Sequence, residues 1–198
     1  MPKREDKKQN TREKLLIAAA RCFAEKGYSG CSIADIAQRA EIAQGTTYVH
    51  FKSKEALFKV MIEEEHAQGT EKARQAANVT PYINGIISVM ADCIRDVGFP
   101  VDHRLWTEIL AVAARDPSVR EAFAASDKAM RAVFSELLQK AAAAGEIDDS
   151  LDFDAVSVWL YALVDGLIAR TANDPGFTFQ KHFEVFELLV RRALSPQK

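Results

Sequence analysis

The run Gln44-Gly45-Thr46-Thr47-Tyr48-Val49-His50-Phe51, followed by Lys52-Ser53-Lys54-Glu55, gathers side chains that can read and hold a polyanion. Gln44 pairs an amide donor with a carbonyl acceptor, the combination that matches an adenine edge in a major groove. Gly45 permits close backbone approach, and Thr46 offers a hydroxyl and a methyl. These three lie at the N-terminal end of the run, the end of a recognition helix that enters a groove first. Tyr48, His50 and Lys54, with Ser32 upstream, carry phenol, imidazole, ammonium and hydroxyl groups that reach phosphate oxygens and fix register without reading sequence. Thr47 completes the contact set, and Val49 is placed to meet a thymine methyl. Beside this reading, Ser32 also fits as a helix cap and Lys54 as a solvated charge.

A polar helix of this kind needs a bracing helix beside it and a basic surround. Leu15, Ala19, Cys22 and Phe23 fall at i, i+4, i+7 and i+8, which predicts a helix over 11–26 with Thr11 as its cap and Gly27 as its end. Ser32-Ile33-Ala34-Asp35 has the layout of a capping box with Asp in the acidic position. Ile33, Ile36, Ala37 and Ala40 then give a second helix its inward face. Glu41-Ile42-Ala43 is a tight link into the opening run, so the two short helices form a helix-turn-helix. Ser53 caps a fourth helix with Glu55 in its first turn, running toward Gly69 as a possible end or hinge.

Charge is segregated along the chain. Residues 1–59 hold 12 Lys and Arg against 7 Asp and Glu, whereas the whole chain carries a net charge of −2. The remainder is therefore acidic, the pattern of a nucleic-acid-facing module joined to a body that is not. Residues 1–10 read as a flexible basic arm. Cys22, Cys31 and Cys93 are odd in number and lack CxxC spacing, which indicates neither a disulfide framework nor a zinc site and fits a reducing compartment. Among them Cys31, in the turn, is the one placed to sense oxidants. No signal peptide and no uninterrupted apolar run of about 18 residues occurs, so the expectation is a cytoplasmic protein that does not engage a membrane. His66, His103 and His182 are scattered without metal-ligand spacing, so no metal and no cofactor is expected. Asp102, His103 and Glu108 could serve acid-base chemistry, but no nucleophile-base pair or cofactor loop accompanies them, and an enzyme is not expected.

The body reads as helical throughout. Thr80-Pro81 opens a helix over about 81–97, Gly98 and Pro100 stop it, and another covers about 102–114. Asp116-Pro117 starts a long helix ending at Gly145, and two more cover 152–172 and 178–194. The fold class is all-α with about nine helices. Met90, Cys93, Trp106, Met130, Phe134 and Trp159 are candidate walls of an effector pocket, because methionine and aromatic side chains make adaptable apolar linings. Each also fits as plain core.

The helix start at Thr11-Arg12, Phe23 to Gly27-Tyr28, Ser32-Ile33-Ala34-Asp35-Ile36-Ala37 and Gly45-Thr46-Thr47-Tyr48-Val49-His50-Phe51 leading to Lys54-Glu55-Ala56-Leu57 together resemble the TetR family of one-component transcriptional repressors. Arg115-Asp116-Pro117, Ala144-Gly145-Glu146-Ile147 and Val164-Asp165-Gly166-Leu167 echo it in the body. The resemblance implies a helix-turn-helix domain at 11–56 and a helical effector-binding and dimerisation domain at 57–198. It further implies a homodimer through the last two helices, a palindromic double-stranded DNA operator and release by a small-molecule effector. Thr47 and Val49 depart from the family pattern, in which larger apolar and aromatic or basic residues flank the tyrosine. The alternative kept open is a helical protein-interaction module that does not bind DNA.

Overall fold

The computed structural model of this chain describes residues 2–196, with side chains from Glu5 onward. Among these residues there are nine helices, and the only extended pairing is an isolated bridge at Gly98 and Val101. Met1 and the side chains of Pro2, Lys3 and Arg4, part of the expected arm, lie outside the described residues. The chain divides into two compact units, one of residues up to Glu65 plus Phe99–Phe123, the other of His66–Gly98 plus Ala124 onward. The cut falls inside two helices and places an element from the middle of the chain with the N-terminal unit. The units are therefore not the contiguous 11–56 and 57–198 stretches expected from sequence.

The first unit begins with α1, Pro2–Gly30. Its helix runs through the stretch expected to be a flexible arm, so Thr11 is not a cap; its hydroxyl donates to the Lys7 carbonyl at 2.8 Å, within the helix. Most residues there are Lys, Arg, Glu and Gln, straight-chain types that lose little rotamer freedom in a helix and outweigh Asp6 and Asn10, so the helix continues. Gly27 breaks α1 with φ 71 and ψ 165, a left-handed value that a β-carbon would disfavour, and so sets the expected end of the regular helix. Next come α2, Ile33–Arg39, and α3, Gln44–His50. The first part of α4, Lys54–Ala76, and α6, His103–Arg115, complete the packing. Leu15, Ala19, Cys22, Phe23, Ile36, Leu57, Phe58, Met61, Leu105 and Ile109 are fully excluded from solvent and form this unit's core.

Cys22 and Cys31 are joined by a disulfide, with Cα atoms 6.0 Å apart. This corrects the expectation of no disulfide. The two cysteines are nine positions apart and match no spacing rule, but the turn at Gly27 folds Cys31 back against α1.

The second unit holds the rest of α4, α5 (Tyr82–Arg95), most of α7 (Pro117–Ala143), α8 (Phe153–Asn173) and α9 (Phe179–Leu194). Gly69 does not end α4, which continues to Ala76. A β-carbon at Gly69 would lie 2.8 Å from the Met130 sulfur, so glycine there admits a close side chain rather than marking a hinge. Pro81, not Thr80, is the N-cap of α5. Asp116 caps α7 by accepting from the Ser118 amide at 2.9 Å, and Asp152 caps α8. Ile86, Ile94, Phe134, Leu137 and Leu138 are fully buried. By length and composition alone α8 could cross a bilayer, with a window of mean hydropathy 1.3, yet only 22% of that window is buried within this chain.

His66, on α4, is 2% exposed, and its Nδ1 sits 2.6 Å from the Ser126 hydroxyl. Burial pushes its pKa from 6.5 down to about 4, against an opposing pull from the Asp127 carboxylate. The imidazole is thus neutral in the folded protein. Because the folded pKa lies below the unfolded one, the unfolded chain takes up the proton first, and stability falls as pH drops from 6.5 toward 4. Between pH 7.5 and 4.5 the wild-type protein should lose about 2.5 kcal/mol more than His66→Gln. Urea unfolding of both proteins at the two pH values checks this; equal losses would remove His66 from the account.

Candidate nucleic-acid interface

Ser32 positions the helix-turn-helix through its cap. Its hydroxyl accepts from the Asp35 amide at 3.1 Å, while the Asp35 carboxylate accepts from the Ser32 amide at 2.9 Å, the expected capping box. Lys26 donates to Asp35 at 2.7 Å, and these hydrogen bonds hold the Asp35 carboxyl well below the usual carboxylate range. At the other end of α2, Arg39 donates to Glu25 at 2.8 Å and ties the helix to α1. The Ser53 hydroxyl accepts from the Ala56 amide at 3.0 Å and starts α4 as predicted.

Along α3, Gln44, Gly45, Thr46, Tyr48 and Val49 are exposed, with Val49 at 76%. Ser32, Gln44, Tyr48 and Lys54 come together around one open concavity of about 370 Å³, which Ser29, Gly30 and Cys31 also line. Four predicted contact residues from three elements thus share one surface. Gly45 and Thr46 stand on the same exposed helix, and a β-carbon at Gly45 would meet nothing within 4 Å, leaving its backbone open to approach.

Thr47 does not belong to this surface. It is the one buried residue of α3, 0% exposed, and its hydroxyl has no hydrogen-bond partner among the described residues. In a seven-residue helix at least one position must face the packing, and here it is Thr47, although Gln44 three residues before it is exposed.

His50 is half-buried at the end of α3. Desolvation, followed by the charges of Lys8 and Arg12, lowers its pKa, which favours the neutral ring with one N–H to donate. Arg12 itself stacks over the Phe51 ring at 5.7 Å and pairs with Glu64 at 2.5 Å. The N-terminal stretch of α1 therefore brings positive charge to His50, a role that reading residues 1–10 as a loose arm missed.

Lys54 is held rather than simply solvated. Its ammonium donates to the Tyr28 carbonyl at 2.7 Å and lies 4.3 Å from the Tyr28 ring centroid. One of three donors is used, so the charge is positioned with capacity left for a phosphate oxygen. Tyr28 was not singled out from sequence as a positioning residue; the signal was Gly27 beside it, which turns the Tyr28 carbonyl out of the helical ladder.

Of the effector-pocket candidates, Met90, Cys93 and Phe134 line one tightly packed apolar seam in the second unit, too narrow to admit a water molecule, with Tyr161 packed edge-on to Phe134 at 5.3 Å. Met130 is buried in the same unit against Gly69 and does not line that space. Trp106 is buried in the first unit beside Phe123, ring centroids 5.9 Å apart, and so is part of a different core. Trp159 is 77% exposed on α8 and is not a pocket wall. Among the described residues no cluster of three potential metal ligands occurs. Asp102 caps α6 through the Leu105 amide, and Glu108 accepts from the Tyr28 amide at 2.6 Å.

Fold and surface together define a helix-turn-helix transcriptional regulator. Residues 15–61 match the family described as bacterial regulatory proteins, tetR family, and residues 89–195, more than half of the chain, match the BetI-type transcriptional repressor C-terminal domain. The chain belongs to the TetR family of DNA-binding repressors. It is 29% identical over 166 residues, 82% of this chain and 81% of the relative, to the HTH-type transcriptional repressor AcnR of Corynebacterium diphtheriae. Its fold superimposes with a TM-score of 0.79 on Salmonella enterica GusR, at 24% identity over 93% of this chain and 95% of that one. The same score relates it to the regulator FadR from Bacillus subtilis in complex with stearoyl-CoA, at 20% identity over 91% and 98%.

Since the Thr47 hydroxyl is buried without a partner, Thr47→Val should raise stability by about 1 kcal/mol. DNA affinity should stay within about twofold, because no contact group is lost. Urea melts and gel shifts of the two proteins decide; a large loss of affinity would return Thr47 to the contact surface.

Proposed function

We propose that this regulator binds a palindromic operator as a homodimer and is released by a small apolar effector, acting in the cytoplasm and without enzymatic activity. The observation that carries the DNA part is the concavity shared by Ser32, Gln44, Tyr48 and Lys54 beside the exposed face of α3. Gln44, Gly45 and Thr46 read bases; Ser32, Tyr48, His50 and Lys54 hold phosphates. The dimer reading rests on α8 and α9, which leave Val158, Trp159, Leu163, Val185, Leu188 and Leu189 between 39% and 77% exposed. Exposed apolar side chains on two neighbouring elements of the chain mark a protein interface, and a second copy of α8 and α9 covers them as a four-helix bundle. Two recognition helices then address successive major grooves, about 34 Å apart.

Effector would lodge at the apolar space beside Met90, Cys93 and Phe134, enlarging it and favouring a dimer state whose recognition helices miss that spacing. The structural neighbour FadR is in complex with an acyl-CoA, which makes acyl chains a first class of effector to try.

Gel shifts on the gene's own upstream region, across a salt series and with candidate effectors, test the reading. Lys54→Ala should weaken binding to all sequences alike and reduce the salt slope by about 1. A changed sequence preference would show that Lys54 reads bases instead. Trp159→Asp places a charge among these side chains of α8 and α9 and should convert the dimer to monomer in sedimentation at micromolar concentration, with operator binding falling in parallel. An unchanged dimer would move the interface off α8.

A further inference from the structure

We propose that Cys22 and Cys31 form a redox-responsive modification site, oxidised by low-molecular-weight disulfides, whose state sets the geometry of the DNA-contact surface. The second half of this inference rests on the DNA reading above; the first half stands without it.

Three placements carry it. First, the backbone holds the two Cα atoms 6.0 Å apart, inside the range of about 4.4–6.8 Å over which cysteines can be bridged. Second, the bond closes the loop that contains Gly27, with its φ of 71, and Tyr28, whose carbonyl and ring hold Lys54. Third, Cys31 precedes Ser32, the N-cap of α2, and lines the concavity shared by Ser32, Gln44, Tyr48 and Lys54. One covalent bond therefore fixes both the cap and the lysine anchor of a single surface. Cys93, buried in the other unit, is not part of this bond.

The chemistry is thiol–disulfide exchange. Both cysteines are buried, but Cys31 stands at the wall of the concavity behind exposed Ser29 and Gly30. Cys31 is thus the entry sulfur, reached when the short 29–32 segment lifts. Its thiolate attacks one sulfur of RSSR and expels RS⁻, leaving a Cys31–SR mixed disulfide. The Cys22 thiolate then attacks the Cys31 sulfur and expels the second RS⁻. Two protein thiols are oxidised and one RSSR becomes two RSH, which carry the two thiol protons.

Reduction reverses this. Two reduced sulfurs cannot stay at bonding distance, and with Cys22 and Cys31 both buried the separation displaces residue 31. The displacement passes through one peptide bond to the cap of α2. The oxidised state is accordingly the tight-binding one.

The full-length wild-type protein is treated with oxidised glutathione or with a phosphine reductant, with Cys31→Ala as the unlinkable control. Peptide mass after alkylation should show Cys22 linked to Cys31 only in the first sample. Amide hydrogen exchange over residues 28–51 should be slower in the oxidised protein, and its affinity for the upstream duplex higher by on the order of tenfold. The control should match the reduced protein in both readouts and ignore oxidant. Unlinked cysteines after oxidation, or a linked pair with unchanged exchange and affinity, overturn the proposal, as does tighter binding by the reduced form. Slower exchange with no DNA binding in either state upholds the redox site and sinks the operator reading instead.

Discussion

The first unit depends on one backbone corner. Gly27 adopts a left-handed conformation, and the residue it delivers, Tyr28, is then used from every side. Its amide donates to Glu108 on α6, its carbonyl accepts from Lys54 on α4, and its ring packs 5.7 Å from Phe23 and 4.7 Å from Phe58. Phe23 and Phe58 meet edge to face at 5.1 Å and close the cluster. Three helices are thereby referenced to one residue, and the Cys22–Cys31 bond ties the same corner to the entry of α2. A side chain at position 27 would meet both the positive φ and the Glu108 carboxylate, whose Oε1 lies 3.3 Å from where the β-carbon would stand. Removing the glycine would disturb the lysine anchor, the helix-turn-helix entry and the α6 contact together.

The second unit is organised by different physics. Its centre is apolar and closed around Phe134, Leu137 and Leu138, with a few buried polar groups, among them the neutral His66 beside Ser126. Its periphery is not closed. On α9, Phe179, Phe186, Val190 and Leu194 turn inward while Val185, Leu188 and Leu189 turn outward, so the helix is apolar on two faces. A helix with two apolar faces has two packing partners. One is present in this chain, and the outward side chains, with Trp159 and Leu163 on α8, are the ground for a second copy.

Most of the architecture was legible because it is written in short-range signals. The capping box at Ser32 and Asp35, the Ser53 cap, the Asp-Pro start of α7 and the stop at Gly27 each depend on residues within four positions of one another. The all-α class followed from apolar spacing alone. What escaped has long-range causes. Gly69 reads as a hinge until Met130 is seen against it, and the disulfide depends on a chain reversal that no cysteine spacing announces. Trp159 and Trp106 have the composition of pocket walls, yet one faces outward and the other sits in another unit's core, because residue type does not encode which face of a helix finds a partner. The contact residues fared better. Of those proposed on and around α3, Thr47 alone is fully buried, and periodicity within the run does not announce it, because Gln44 at i−3 is exposed. Lys54 was named from its position, but its fixing by Tyr28 spans 26 residues and shows only in three dimensions.

Thr47 has one more consequence. α3 gives a single side chain to the core, and that side chain is small. Its neighbours Gln44, Gly45, Thr46, Tyr48 and Val49 owe nothing to packing, so exchanging them leaves the folding free energy nearly untouched. The outer face of this helix is thus mutationally decoupled from the scaffold beneath it. A lineage can rewrite that face residue by residue, passing only through folded intermediates, and duplicated copies of such a gene can diverge in target long before they diverge in shape.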